Sequence, residues 1–411
     1  MIISNIDRLH IELTNKCNAG CPLCPRTGTF AGGVSDHMFN AGMHELTLED
    51  IKKLPLDNIN RINFCGNYGD PIVAKDALKI FQHCLTTSGI EVNTNGSIRN
   101  EAWWGSLGKA IARYNKENET SNYKSKVIFA IDGLRDTNHL YRVNTNFDMI
   151  IRNAKAFIAA GGEAHWQFIC FEHNEHQLEE AGEFAKEIGF HRFMIKRSNR
   201  SMISSPDGVK RIRHEEDFET EKELVQPRTA IQKKTVEKFG GKIQETFKHA
   251  TVKAFGKDLN EWHQGMYDAL PKISCKSEER KEVYIACDGD VLPCCWWGDD
   301  HWKYKYKREN HKKPEFYSIM DGLEINLHKS NYDFNKIIER FNTRSEHTKL
   351  MWDNRCITKC NRNCGTNSKN QHKININLQT SELWYSYKRK DKININLNNI
   401  KEKSNGTMDK E

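Results

Sequence analysis

Three cysteines set the strongest constraint on this chain. Cys17, Cys21 and Cys24 lie in the segment CNAGCPLC, just after an apolar, β-prone run at residues 9–13. Spacings of four and three residues put three thiolates on one short loop at the end of a strand, within reach of three corners of a cubic iron-sulfur cluster. A cubane has four irons, so three protein ligands leave one iron open to another molecule, as catalytic zinc sites keep one position free. The competing account is a zinc knuckle completed by a distant His or Cys. The chain holds 13 cysteines, an odd number, with no secretory signal and no apolar run long enough to span a membrane. This combination predicts a reducing, cytoplasmic setting in which closely spaced cysteines bind metal rather than pair as disulfides.

A chain of 411 residues has room for two or three domains with a sizeable core. Runs rich in β-branched and aromatic residues recur at 9–13, 61–65, 90–93, 127–132, 166–171 and 192–196, separated by intervals long enough for a crossover helix. That is the pattern of parallel βαβ units and predicts an α/β fold, a partial (β/α)6 TIM-type barrel over residues 1–200. Thr47 and Asp50 form a capping box at a helix start, with the acid in place of the usual Glu or Gln. Leu178, Ala181, Phe184, Ala185 and Ile188 share one helical face, which Gly189 ends, and the helix over 149–160 is closed by Gly161 and Gly162. Residues 201–270 are densely charged and read as a helical linker or insertion. A small cysteine-rich α+β domain follows at 271–368. The Lys/Asn-rich tail, 369–411, repeats KININL at 373–378 and 392–397; a small hairpin and a disordered end are expected there.

Further motifs follow the next strands in order. Gly69-Asp70-Pro71 stands in CGNYGDP after the second, Asn93-Thr94-Asn95-Gly96 after the third, and Ile131-Asp132-Gly133-Leu134 after the fourth, with Tyr141-Arg142 downstream. All lie at the carboxyl ends of strands, where ligands of parallel α/β folds bind. With CxxxCxxC after strand one, this series resembles the radical S-adenosylmethionine (SAM) superfamily over residues 8 to about 200. The resemblance implies a SAM-binding [4Fe-4S] cluster on Cys17, Cys21 and Cys24, and a turn of Gly69, Asp70 and Pro71 that receives the SAM amino group. It also implies Asn93 and Asn95 near the ribose, Asp132 in the IDG stretch, and Arg142 near the SAM carboxylate. The chain departs from the family pattern at Tyr68, where a glycine is usual, at Asp70 for Glu, and at Ala130 for Ser. Asn174 matches an Asn of relatives with an auxiliary cluster and equally fits a helix N-cap.

A second set of cysteines begins at Cys275, with Gly289 and Cys294 in the pattern C-x13-G-x4-C, and continues with Cys356, Cys360 and Cys364. Residues 281–286 are β-like and Asp288-Gly289-Asp290 is a turn, so a hairpin returns Cys294 towards Cys275. This half resembles the SPASM/twitch domain, which implies one auxiliary [4Fe-4S] cluster on Cys275, Cys294 and two of the trailing three; four cysteines would also suit zinc. Cys287, Cys295, Cys65, Cys84 and Cys170 are expected to pack; core packing is also the expectation for Trp296 and Trp297, with shielding of the cluster or contact with substrate as the alternatives.

Together these imply reductive cleavage of SAM and hydrogen abstraction from a substrate, with an electron donor such as flavodoxin or ferredoxin. The substrate expected is a peptide or protein side chain; the alternative is a small alcohol, sugar or nucleotide. A non-catalytic, nucleic-acid-binding protein is the third reading. The net charge of +7 selects none of these. For the third, the nearest candidate is HWKYKYKRENHKK at 301–313, where a strand would show Trp302, Tyr304 and Tyr306 on one face and lysines on the other; a solvated edge strand is favoured over a nucleic-acid surface. No general acid or base is assigned: His10, His37, His44, Asp36 and Tyr68 are the residues that could face the cavity.

Overall fold

All six predicted runs are strands, in the expected order and direction. The computed structural model describes residues 6–21, 24–26, 41–121, 123–171, 173–197, 211–212, 222–223, 275–306, 323–343, 373–377, 382–386 and 392–396. Strands β1 (Arg8–Ile11), β2 (Arg61–Phe64), β3 (Gly89–Thr94), β4 (Lys126–Ala130), β5 (Ala164–Cys170) and β6 (Arg192–Arg197) pair side by side, all parallel. The helices between them include α1 (Leu48–Ile51), α2 (Ala77–Cys84), α3 (Glu101–Glu117), α4 (Asn138–Tyr141), α5 (Phe147–Ala159) and α6 (Leu178–Ile188). The capping box at Thr47 and Asp50 is made in both directions, and Gly189 ends α6 at φ 98°.

Strand residues alternate between two environments. Ile11, Phe64, Val92, Phe129, Trp166 and Phe193 are fully buried in one core with Ile80, Trp104, Ile150 and Ala185 of the helices. The opposite face carries His10, Asn63, Glu91 and Lys126, which fall in register across β1 to β4, and His165 and Gln167, which lie opposite Ile128 and Ala130. Parallel strands covered by apolar layers on both faces read as continuous hydrophobic runs. The run of polar residues on this face, broken by Ile128, Ala130, Ile169 and Met194, therefore marks it as the more polar lining of the sheet.

The sheet stays open, and both its flanks are extended by later segments. Strand β9 (Glu282–Ile285) lies parallel to β1 and forms a hairpin with β10 (Val291–Leu292). At the far side β11 (Lys373–Asn377) runs antiparallel to β6, followed by β12 (Glu382–Ser386) and β13 (Lys392–Asn396), giving eleven strands in all. The KININ part of each repeat is thus a strand, with a further strand between the two. Each addition pairs a sheet edge that would otherwise present unpaired backbone groups. Within 201–270 the described residues form only the two-stranded pair β7 (Arg211–Ile212) and β8 (Lys222–Glu223). The rest of that linker, and the chain end after residue 396, lie outside the described residues.

One expectation is corrected. The alternating aromatic and lysine segment is a helix, not a strand: α8 runs Cys295–Tyr306, after α7 (Lys276–Arg280) and before α9 (Phe334–Thr343). Trp302 and Tyr306, four residues apart, share one helical face with ring centroids 4.7 Å apart, and both pack on His44. Lys305 turns to Asp288 (2.7 Å) and Asp290 (2.6 Å), so its charge is neutralised within the fold. The local pattern suits a strand, and tertiary packing of the aromatics overrides it.

Candidate functional site

The loops at the carboxyl ends of β1 to β5 converge on the first cysteine cluster. Cys21 is buried with Ala19, Tyr141 and Phe171, and Cys17 and Cys24 pack against this nest. The loop is shaped by backbone bonds from Gly20 N–H to the Val143 carbonyl (2.9 Å) and from Cys24 N–H to the Cys21 carbonyl (3.0 Å). Burial pushes the Cys17 thiol well up, and Asp70 adds to the rise. At Cys21 burial also raises the thiol, with Arg142 opposing. Thiols in such a setting ionise when a metal supplies positive charge.

Three thiols on one loop, packed around Cys21, suit three corners of a cubic cluster, and with a fourth ligand they would equally suit zinc. Zinc with Zn–S bonds of about 2.3 Å holds its sulfurs roughly 3.8 Å apart. Among the described residues, the three-ligand group whose atoms all lie within 4.8 Å is Asp288, Asp290 and His301.

Asp70 and Asn95 meet beside Cys17. Asp70 Oδ2 accepts from the Thr94 hydroxyl (3.0 Å), the Asn95 N–H (2.7 Å) and Asn95 Nδ2 (2.8 Å), while Oδ1 accepts from Ile72 N–H (3.2 Å) above Pro71. Asn95 Nδ2 also reaches Asn18 Oδ1 (3.0 Å) and stands 3.8 Å from Cys17 Sγ. Three strand ends thus bring an acid, an amide and a thiol together. Gly69 permits this, since a Cβ there would stand 1.7 Å from the Thr14 carbonyl oxygen. Asn93, on the inner strand face, donates instead to Asn63 Oδ1 (3.0 Å). Arg142 is ion-paired with fully buried Asp132 (2.6 Å), and its Nη1 lies 3.6 Å from Cys21 Sγ.

Asn174 is neither exposed nor a side-chain cap. Its Nδ2 donates to the Asp132 carbonyl (2.8 Å) and the Ile169 carbonyl (3.0 Å), and its Oδ1 accepts from Phe171 N–H (2.7 Å). It ties the loop after β5 to the Asp132 loop.

Of the five polar residues weighed for the cavity, three are described and each is engaged in the fold. His10 Nε2 contacts the Cys65 carbonyl at 2.5 Å, His44 Nε2 the Ala41 carbonyl at 2.7 Å, and the Tyr68 hydroxyl donates to Asp299 Oδ1 (2.6 Å). Asp36 and His37 lie outside the described residues.

Sequence reasoning missed Glu12. It is fully buried, with Oε1 accepting from the amides of Tyr68 (2.7 Å) and Gly69 (3.2 Å) and Oε2 from the Tyr284 hydroxyl. Period-two alternation from His10 is the signal that could have found it. Also unforeseen is the charged inner face, where Glu91 pairs with Arg61 (2.7 Å) and Lys126 (3.7 Å). Burial works to raise the Glu91 carboxyl, and Arg61, Lys126, His165 and Lys196 outweigh it, so the group is held low.

The Glu12 carboxyl is pushed up to about 7: burial raises it, Asp288 adds to the rise, and the Tyr284, Tyr68 and Gly69 donors oppose. Its unfolded value is about 4.3. Folded Glu12 therefore holds more proton between these values, and its contribution, present below the lower one, is lost as pH rises through the upper. Urea unfolding of the wild type relative to Glu12→Gln should lose stability from about pH 4.5 to 7, at no more than about 1.4 kcal/mol per pH unit, and level off above. A pH-independent difference would refute the shift.

In the second cysteine region the predicted hairpin is present, with Gly289 at φ 91° in its turn. Cys275 is buried in the main core, and Cys294 and Cys295 pack against it. Cys287 is buried in one cluster with Tyr68 and Trp302, Trp297 is buried, and Trp296, expected to pack, is exposed. Cys356, Cys360 and Cys364 lie outside the described residues. Among the described residues, no helix is long and apolar enough to cross a membrane.

No protein-family model matches the chain, and no curated protein matches it significantly. Solved structures similar to it include Streptococcus suis SuiB bound to S-adenosylmethionine, at 14% identity and TM-score 0.42 over 77% of this chain and 68% of that one. Another is anSMEcpe with bound AdoMet, at 14% identity and TM-score 0.44 over 86% and 96%. A third is BtrN in complex with AdoMet and 2-DOIA, at 11% identity and TM-score 0.37 over 87% and 92%.

Proposed function

We propose that this protein is a radical SAM enzyme that abstracts a hydrogen atom from a peptide or protein side chain. The observation that carries the reading is the meeting of Cys17, Asp70 and Asn95, from three successive strand ends, beside a buried three-cysteine loop. When bound, a [4Fe-4S] cluster on Cys17, Cys21 and Cys24 supplies the electron that cleaves SAM to methionine and a 5′-deoxyadenosyl radical, the species that takes the substrate hydrogen.

The chain's own residues do the binding and positioning. Asp70, with the Gly69 and Pro71 backbone, offers negative charge to the SAM ammonium. Asn93 and Asn95 serve the ribose side, and Arg142, held by Asp132, stands towards the carboxylate. The nest of Tyr141 and Phe171 keeps water from the cysteine loop. Cys275 and Cys294, with two of Cys356, Cys360 and Cys364, hold an auxiliary cluster that assists oxidation of the substrate. Electrons come from a flavodoxin- or ferredoxin-type donor. A polar small molecule is the second reading, favoured by the charged strand face where Glu91 pairs with Arg61 and Lys126.

Anaerobic reconstitution with iron and sulfide, followed by a SAM-cleavage assay, tests this. About eight irons per chain, two cubanes, with release of 5′-deoxyadenosine is the expected result. Zinc binding with no cleavage would sink the enzyme reading.

A further inference from the structure

The 66–71 turn is fastened to the second cysteine region through one buried carboxylate. Glu12 Oε1 accepts from the Tyr68 and Gly69 amides of the turn, and its other oxygen accepts from the hydroxyl of Tyr284 on β9. Asn67, in the same turn, donates to the Tyr284 hydroxyl (3.3 Å) and to the carbonyl of Cys295 at the start of α8 (3.0 Å). Tyr284 has no room to swing. His10 stands edge-on to its ring at 5.2 Å, and a Cβ at Gly298 of α8 would lie 2.3 Å from its Cε1. The far end of the turn is tethered to the first cysteine loop, where Asp70 N–H donates to the Lys16 carbonyl (2.9 Å). Buried networks of this kind are stiff when every member is satisfied and yield when one donor is removed.

We infer that Glu12 and Tyr284 form a strut through which the β9 hairpin and α8 set the position of the 66–71 turn, so that SAM affinity depends on a side chain carried by the second cysteine region. This rests on the reading of that turn as the SAM ammonium site. Tyr284 is a positioning residue: it contacts Glu12 and the Asn67 side chain, and acts on the ligand through them. Coupling between sites of this sort typically changes affinity about 5- to 150-fold.

The test uses full-length Tyr284→Phe, which deletes one hydroxyl. In the reconstituted protein, iron content should match wild type while the dissociation constant for SAM, from equilibrium dialysis, rises about ten-fold. The change that SAM produces in the electron paramagnetic resonance spectrum of the reduced protein should weaken in parallel. In the protein without added iron, amide hydrogen exchange at Tyr68 and Gly69 should quicken while exchange in β3 and β4 stays unchanged. Unaltered SAM affinity and unaltered exchange at Tyr68 and Gly69 would overturn the strut. If wild type itself binds no SAM, the reading of function fails and the exchange data still decide the strut. Should Tyr284→Phe not fold, Gly298→Ala presses on the same ring without touching a polar group; faster Tyr68 and Gly69 exchange supports the strut, and wild-type exchange overturns it.

Discussion

Joint replacement of Cys17, Cys21 and Cys24 by alanine should abolish release of 5′-deoxyadenosine from SAM while leaving the protein folded. Enzymatic accelerations are about a million-fold or more, and on the proposed reading the group that would provide the electron would be held by these three thiols alone among the first-site residues. Iron should fall by about four atoms per chain, one cubane's worth, with the remainder staying in the second cysteine region. Folding should survive because the thiols pack as small apolar groups around Ala19, Tyr141 and Phe171. Retained cleavage in a folded triple variant would rule out this loop as the site. A variant that loses cleavage together with its circular dichroism melt would instead make the loop structural.

Gly69→Ala should produce the largest effect of any single methyl group at the site. The new Cβ would meet the Thr14 carbonyl oxygen at 1.7 Å, its carbon at 2.6 Å and Asn15 Cα at 3.0 Å. All three are backbone atoms, so no side chain can rotate away. Thr14 is itself pinned, bridging to Glu45 and donating from its hydroxyl to the His44 carbonyl (3.0 Å). The turn must therefore move out, and the Gly69 and Asp70 amides lose their acceptors on Glu12 and Lys16. Overpacking together with two unsatisfied buried donors costs about 3–5 kcal/mol. Urea unfolding measures this loss, and SAM dialysis should show weakened binding in whatever fraction folds. Gly105→Ala is the matched control: it lies within α3 with nothing inside 4 Å, and should be neutral or stabilising by up to about 1 kcal/mol. Equal stability of the two variants would mean that Gly69 does not approach β1 as described.

Much of the barrel half was legible because its signals are local. The β-prone runs at 61–65 and 166–171 became β2 and β5 within a residue or two, and the Thr47 capping box and the Gly189 stop formed where their chemistry placed them. The motifs at Asp70 and Asn95 could be aligned with strand ends, and the fold brings their side chains within hydrogen-bond distance. Asn93 entered with Asn95 through the resemblance of the NTNG segment, and in the fold its side chain donates to Asn63 Oδ1 on the neighbouring strand. Glu12 was passed over because one acid in an apolar run carries no motif, and its three donors come from residues 56 to 272 positions away. The lysine and aromatic stretch at 302–306 misled for the complementary reason. Period-two alternation suggested a strand, while the groups that settle its conformation, His44, Asp288 and Asp290, belong to other segments.

By itself the sequence determined the parallel strand order, the three-cysteine loop and the glycine-bearing turns, since hydrophobic period, ligand spacing and backbone sterics act over a few residues. Only the tertiary structure decided that the Cys275–Cys294 hairpin pairs with β1, that helix α8 closes over Tyr68, and that Glu12 joins the 66–71 turn to Tyr284. Those outcomes depend on which distant surfaces satisfy a sheet edge or a buried carboxylate, and such partners are chosen by packing over the whole chain.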